Sequence, residues 1–124
     1  MNGSKTVVRL GIDVGKNSFH VWGVNEQDER VLKKQVRRSA LVREVAKLPA
    51  CLIGMEACGG AHHWGREFSQ HGHEVRLMAP QFVTGYVKSN RNDYHDAEAI
   101  CEAVGRANMH FVAVKTVEPQ DRQA

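Results

Sequence analysis

No apolar run in this chain of 124 residues approaches the roughly 20 residues that a bilayer-spanning helix needs. The start, Met1-Asn2-Gly3-Ser4-Lys5, has no apolar stretch of signal-peptide type. A membrane protein is therefore not expected, and a cytoplasmic one is the default. Cysteine is scarce: Cys51, Cys58 and Cys101 are odd in number and fit no zinc spacing. Cys51 and Cys101 lie in apolar surroundings and read as small core residues, with no disulfide expected in a reducing compartment. Histidines occur as His62-His63 and His71-Gly72-His73. Neighbouring histidines on a helix point apart and no four-ligand pattern appears, so a zinc centre is not expected either. There is no internal repeat and no low-complexity segment.

What remains is the composition of one globular domain, with 42% hydrophobic and 25% charged residues. A net charge of +3 permits a polyanionic partner without demanding one. Its distribution is more informative. Lys33, Lys34, Arg37 and Arg38 cluster, and Arg43 and Lys47 follow; Lys88 and Arg91 stand together later in the chain. Such clusters suit phosphate backbones, though each alone is equally an ordinary solvated face.

The patterning predicts strands over residues 6–14, 17–25 and 29–36, the first two joined as a hairpin through Gly15-Lys16 and the third toward a sheet edge because of its lysines. Ser39 is placed to cap a helix carrying Leu41, Val42, Val45, Ala46 and Leu48 on one face, which Pro49 stops. Residues 50–56 read as a central parallel strand covered on both faces. A helix over 61–70 holds Trp64 and Phe68 four apart, and a short strand follows over 74–79. A helical turn from Pro80 through Phe82, Val83 and Tyr86, a loop over 88–92 and a helix over 93–107 come next, the last with Ala97, Ile100, Cys101 and Val104 inward. Residues 111–114 are a further short extended piece. Trp22, Trp64, Phe68, Phe82 and Tyr86 read as core, with Tyr86 the one best placed for exposure to a base.

The order β-β-β-α-β-α-β-α builds a mixed sheet with helices on its faces. It is the order of a ribonuclease-H-like α/β fold with five strands, in which the first and fourth strands lie side by side and parallel. Two apolar runs then end in acids: VVRLGID in Asp13 and CLIGME in Glu56. Asp93 and Asp96 open the last helix, three residues apart and so on one face. An unpaired charge at the end of a buried strand is costly. Clustered carboxylates raise one another's pKa unless a cation lies among them. The chemistry of such a set is oxygen ligation of Mg²⁺ or Mn²⁺. Two ions roughly 3.5–4 Å apart serve phosphodiester chemistry. The candidate catalytic and metal residues are thus Asp13, Glu56, Asp93 and Asp96. The candidate nucleic-acid contacts are Lys16, at the mouth of the site, with Lys33, Lys34, Arg37, Arg38, Lys88 and Arg91. His95, between the two aspartates, is placed to touch a phosphate. Gly15, Gly59 and Gly60 either let a polymer approach or serve turns.

Three stretches carry a family likeness: GIDVGKNSFH at 11–20, GMEACGGAH at 54–62 and NRNDYHDAEAI at 90–100. Together and in this order they resemble the bacterial DEDD insertion-sequence transposases, whose N-terminal domain is similar to RuvC-type Holliday-junction resolvases. The first stretch alone also resembles the phosphate loop of actin-like sugar kinases and chaperone ATPases, but those need two such domains and 124 residues are too few. The transposase resemblance implies that Asp13, Glu56, Asp93 and Asp96 are the DEDD acids. It implies Mg²⁺-dependent DNA cleavage or strand transfer, an element-encoded guide RNA as a further partner, and homo-oligomeric assembly. Family members continue into a second domain with a catalytic serine. Residues 1–117 are accordingly expected to be the N-terminal domain and 118–124 the start of a connection to another. Two alternatives stay open: a stand-alone junction resolvase or ribonuclease-H-like nuclease, and a truncated fragment that only binds nucleic acid.

Overall fold

Strand β2, Ser18–Val24, alternates half-buried and buried side chains along its length, as a strand with two different faces must. That alternation organises the fold. In the computed structural model, which describes residues 4–79, 94–106 and 111–116, β2 pairs antiparallel with β1 (Arg9–Asp13) and with β3 (Arg30–Arg37). A 3-10 turn, Arg38–Ala40, leads into α1 (Leu41–Ala46), then β4 (Leu52–Glu56), α2 (Ala61–Gln70), β5 (Glu74–Met78), α3 (His95–Val104) and β6 (Phe111–Val112). The sheet runs β3-β2-β1-β4-β5-β6. β1 and β4 are parallel, β4 and β5 are parallel, and β6 pairs antiparallel with β5.

This is the expected mixed α/β, ribonuclease-H-like architecture. All five expected strands form, β3 lies at an edge, and the short extended piece near residue 111 pairs as a sixth strand. The β1–β2 hairpin forms with a longer link than Gly15-Lys16, since β1 ends at Asp13 and β2 starts at Ser18. Ser39 is not a cap. It lies inside the 3-10 turn, and α1 starts from Ala40 with no side-chain cap, because the chain leaves β3 already tightly wound. The helical turn after Pro80, the loop over 88–92 and both ends expected for the last helix fall outside the described residues. Among those described, no helix is long and apolar enough to cross a membrane.

The two sheet faces are filled differently. Leu10, Ile12, Phe19, Val21, Ile53, Met55 and Leu77 pack against Leu41 and Val45 of α1 and Trp64 and Phe68 of α2. Fully burying any one of these large side chains contributes about 1.5–3 kcal/mol, so this face carries most of the hydrophobic stabilisation. Trp64 meets Phe19 edge-on, with centroids 5.3 Å apart. His73 ties the bottom of this layer together. Its Nδ1 accepts from the Cys51 amide at 3.1 Å and its Nε2 lies 3.0 Å from the Val45 carbonyl, an arrangement that selects the tautomer protonated on Nε2.

On the other face α3 carries mostly small side chains, with Ala97, Ala99, Ile100, Cys101, Ala103 and Val104 buried. They allow its backbone to approach the sheet closely, and two strand glycines complete the approach. A β-carbon added at Gly11 would overlap the Ala97 carbonyl oxygen and the Cys101 amide, and one at Gly54 would lie 2.6 Å from Val104 Cβ. Arg9 fastens the far end of the helix, its Nε donating to the Cys101 carbonyl at 2.7 Å while its guanidinium pairs with Asp28 at 2.9 Å. Asp28 has φ 62°, a left-handed conformation that aspartate tolerates. Buried Asn25 holds that turn, its Oδ1 accepting from the amides of Gln27 and Glu29.

Gly11→Ala should therefore destabilise the protein by about 3 kcal/mol, the upper end of the cost of overpacking, since the obstruction is helix backbone. Gly59→Ala, where a β-carbon meets nothing within 4 Å, should stay within about 0.5 kcal/mol of the parent. Urea unfolding of the two variants checks both outcomes.

Candidate functional site

The parallel register sets Gly11 opposite Gly54. Carried two residues onward, it brings Asp13 and Glu56 side by side at the ends of β1 and β4. Adjacent strands lie about 4.8 Å apart, and side chains at paired positions share a face. That face is the one α3 covers, because Gly11 and Gly54 both look onto it. Asp96 lies in the first turn of α3, where the positive end of the helix dipole favours an acid.

Two of these carboxylates, Asp13 and Glu56, are shifted by their acidic neighbours. Burial raises the Asp13 pKa above its ordinary 3.8, Asp96 raises it further, and His20 pulls it back. Burial likewise raises Glu56 above 4.5, with Asp13 and then Asp96 adding to the effect. Asp13 and Glu56 are both half-buried, so neither charge is fully relieved by water. His20 is the direct cross-strand partner of Asp13. Its ring meets Tyr94 edge-on at 5.0 Å, and Lys33 Nζ lies 4.8 Å from the Tyr94 ring centroid. Tyr94, just ahead of α3, is thus seated between two sheet residues, and this seating sets where the helix starts.

Asp13, Glu56 and Asp96 are brought to one end of the sheet. Asp93, Lys88 and Arg91 lie outside the described residues. Among the described residues, no three histidine, cysteine or acidic side chains form a group that could hold a metal ion as they stand. The donor chemistry nonetheless fits a hard divalent cation: the groups that converge are carboxylates, and they hold excess negative charge at a partly desolvated place. Cys58, the one exposed cysteine, follows Glu56 by two residues, and no disulfide forms among the three thiols. His95 is buried, only 3% exposed, so it is not a surface contact for phosphate.

The basic cluster of β3 divides between the faces. Lys33 pairs with Trp22, Gln35 with His20 and Arg37 with Ser18, all on the α3 face. Lys34 turns the other way and its Nζ pairs with Glu44 of α1 at 2.6 Å. Arg38 leaves the sheet and its guanidinium lies 5.8 Å from the Phe19 ring and 5.5 Å from the Trp64 ring. Its Nε donates to the Lys16 carbonyl at 3.3 Å, leaving the Lys16 side chain exposed. Trp64 and Phe68 are core, as expected, but Trp22 is only half-buried and belongs to neither core cluster, with the Arg30 guanidinium 5.7 Å from its ring centroid. Phe82 and Tyr86 are outside the described residues. His20 was missed in the sequence. The signal lay in the hairpin, whose register is centred on Lys16-Asn17, one residue later than a Gly15-Lys16 link, and so pairs residue 13 with residue 20.

Comparison with known proteins is consistent with this geometry. Residues 10–121 match the family model of DEDD transposases of the IS110 type, described as a transposase. The chain is 48% identical over 116 residues to a probable family 20 transposase of Pseudomonas aeruginosa, covering 94% of this chain and 34% of that protein. It is 48% identical over 118 residues to the transposase for insertion sequence element IS1328 of Yersinia enterocolitica, covering 95% and 35%. It is 47% identical over 120 residues to the transposase for insertion sequence element IS1111A of Coxiella burnetii, covering 97% and 33%. The chain thus spans about a third of the length of the curated relatives it matches.

The raised acids carry a pH dependence. A carboxyl whose folded pKa lies above its unfolded value stabilises the fold fully below the unfolded pKa, here 3.8 for Asp13 and 4.5 for Glu56. That contribution is lost as pH rises through the raised folded values. In EDTA, the melting temperature of Asp13→Asn should therefore gain on that of the parent as pH rises from the ordinary aspartate value of 3.8 through the raised folded one. Paired thermal melts across that range measure the difference.

Proposed function

Because this chain belongs to the DEDD insertion-sequence transposase family, we propose that it is the nuclease-like domain that carries out metal-dependent DNA strand cleavage and transfer. The observation that supports this best is the convergence of Asp13, Glu56 and Asp96 from two neighbouring strand ends and one helix start, with Asp96 raising the pKa of both strand acids and Asp13 that of Glu56. Asp93 completes the proposed set. These carboxylates would hold Mg²⁺ or Mn²⁺, probed as two ions. When bound, the cations would polarise the scissile phosphodiester and make a coordinated water or hydroxyl a better nucleophile.

The rest of the work belongs to the protein. Asp13, on the central strand and beside both other acids, is the ligand proposed to be shared. Strand pairing with His20 fixes its position, which would hold this carboxylate in one orientation toward the site. His20 faces Asp13 across the strand pair and offsets part of its charge, which keeps the site from repelling an anionic substrate outright. Lys16, at the mouth, would meet a flanking phosphate. A guide RNA and assembly into an oligomer belong in this reading to the longer proteins of which such a domain forms a part.

Calorimetric titration of the chain with Mg²⁺ and Mn²⁺ should show binding that Asp13→Asn weakens at least tenfold while leaving the far-ultraviolet spectrum unchanged. Nicking of a branched or linear DNA substrate in the presence of either ion should be lost in the same variant. Equal ion binding by variant and parent would sink the proposal.

A further inference from the structure

Beside the carboxylates, an open groove of about 740 Å³ is lined by Asn17, Ser18, Gln35, Arg37, Arg38 and Ser39. No acidic side chain lines it. Ser18 and Arg37 are cross-strand partners, as are His20 and Gln35, and His20 is in turn the partner of Asp13. Groove and acids therefore share one sheet face, Gln35 standing two strands, or about 10 Å, from Asp13. Along β3 this face presents Lys33, Gln35 and Arg37, all exposed. Among the described residues Arg37 makes no ion pair, and Lys33 is poised over Tyr94 beside the start of α3. The Gln35 amide donates to Ser18 Oγ at 3.0 Å, which fixes a polar floor between the two cations.

We propose that Lys33, Gln35, Arg37 and Ser18 form a track for the phosphodiester backbone of a single nucleic-acid strand, leading it across β3 and β2 to the carboxylate end of the sheet. This rests on the reading of that end as a phosphodiester site, and it assigns the substrate path. A strand with two charged positions flanking a neutral hydrogen-bonding one suits a polymer of regularly spaced anions with bridging oxygens. Lys34 is excluded from the track although it is adjacent in sequence, because the two-residue period of β3 turns it onto α1 and into a pair with Glu44. Arg38 acts structurally at the rim, its guanidinium held near Phe19 and Trp64.

Fluorescence anisotropy with labelled single-stranded DNA, duplex DNA and RNA of matched sequence, in EDTA over a salt series, tests this. The chain should bind a single strand. Lys33→Gln combined with Arg37→Gln should weaken that binding at least tenfold at low salt. It should also reduce the slope of log K against log salt by about 1.4, two phosphate contacts at about 0.7 each. Lys34→Gln, which removes the same charge one residue away, should bind as the parent does. The comparison of DNA with RNA identifies which strand the track takes. Thermal melts confirm that all variants are folded. No binding by the parent, equal losses in Lys34→Gln and the double variant, or full affinity in the double variant would each overturn the track. Calorimetry with Mg²⁺ on the double variant separates the two readings. Parent-like ion binding with lost strand binding supports the track, whereas a parent that binds the strand but no ion leaves the track standing and removes the cleavage reading.

Discussion

The fold depends on a helix backbone lying directly on a β-sheet. α3 has few large side chains to offer, and the layer it forms with Met78, Ile100 and Val104 is small beside the core on the opposite face. What holds it is closeness: Gly11 and Gly54 remove the two β-carbons that would keep it away, and many dispersion contacts become available at short range. Arg9 adds a hydrogen bond to the Cys101 carbonyl, and Tyr94 settles against His20 at the other end. The helix is thereby fixed in both height and direction. Its first turn arrives over the strand ends, and with it Asp96.

This closeness also concentrates charge. Strand ends are natural places for functional groups in α/β sheets because the flanking loops leave them open. Here two of them deliver acids in register, and the docked helix delivers another. The electrostatic consequence is visible in Asp13 and Glu56, both held above their ordinary pKa by burial and by neighbouring acids. A protein that sought stability alone would not retain this arrangement. The chain tolerates it because the hydrophobic layer under α1 and α2 supplies stability elsewhere. Local frustration of this kind is expected where side chains are retained for a functional site rather than for stability.

Much of the architecture was legible in the sequence. The continuous apolar runs before Asp13 and Glu56 identified β1 and β4, and the order of elements placed them side by side. Capping was less legible. Ser39 had the right chemistry, but the chain was still turning as a 3-10 helix there, a local geometry that residue preference does not encode. The basic cluster of β3 read as one patch when it is two. Its alternation with Leu32 and Val36 held the answer, but only once β3 was known to pack one face on α1. Trp22 was taken for core because aromatic residues usually are, but it is only half covered. Gly11 and Gly54 were passed over in favour of the turn glycines. An isolated glycine inside a strand often marks a close backbone approach, but the approaching partner here is more than 40 residues away from either, and no local pattern reveals it.

The separation between those partners has a consequence for biogenesis. β1, β2 and β3 form a meander of neighbours, which can assemble from local contacts as soon as residue 37 has been synthesised. α3 starts at His95, well after β3 ends at Arg37, so its docking follows the meander. Until it arrives, Gly11 and Gly54 lie bare and Asp96 is absent from the strand ends. Synthesis thus brings Asp96 to Asp13 and Glu56 only after the strands that carry those two acids have been made.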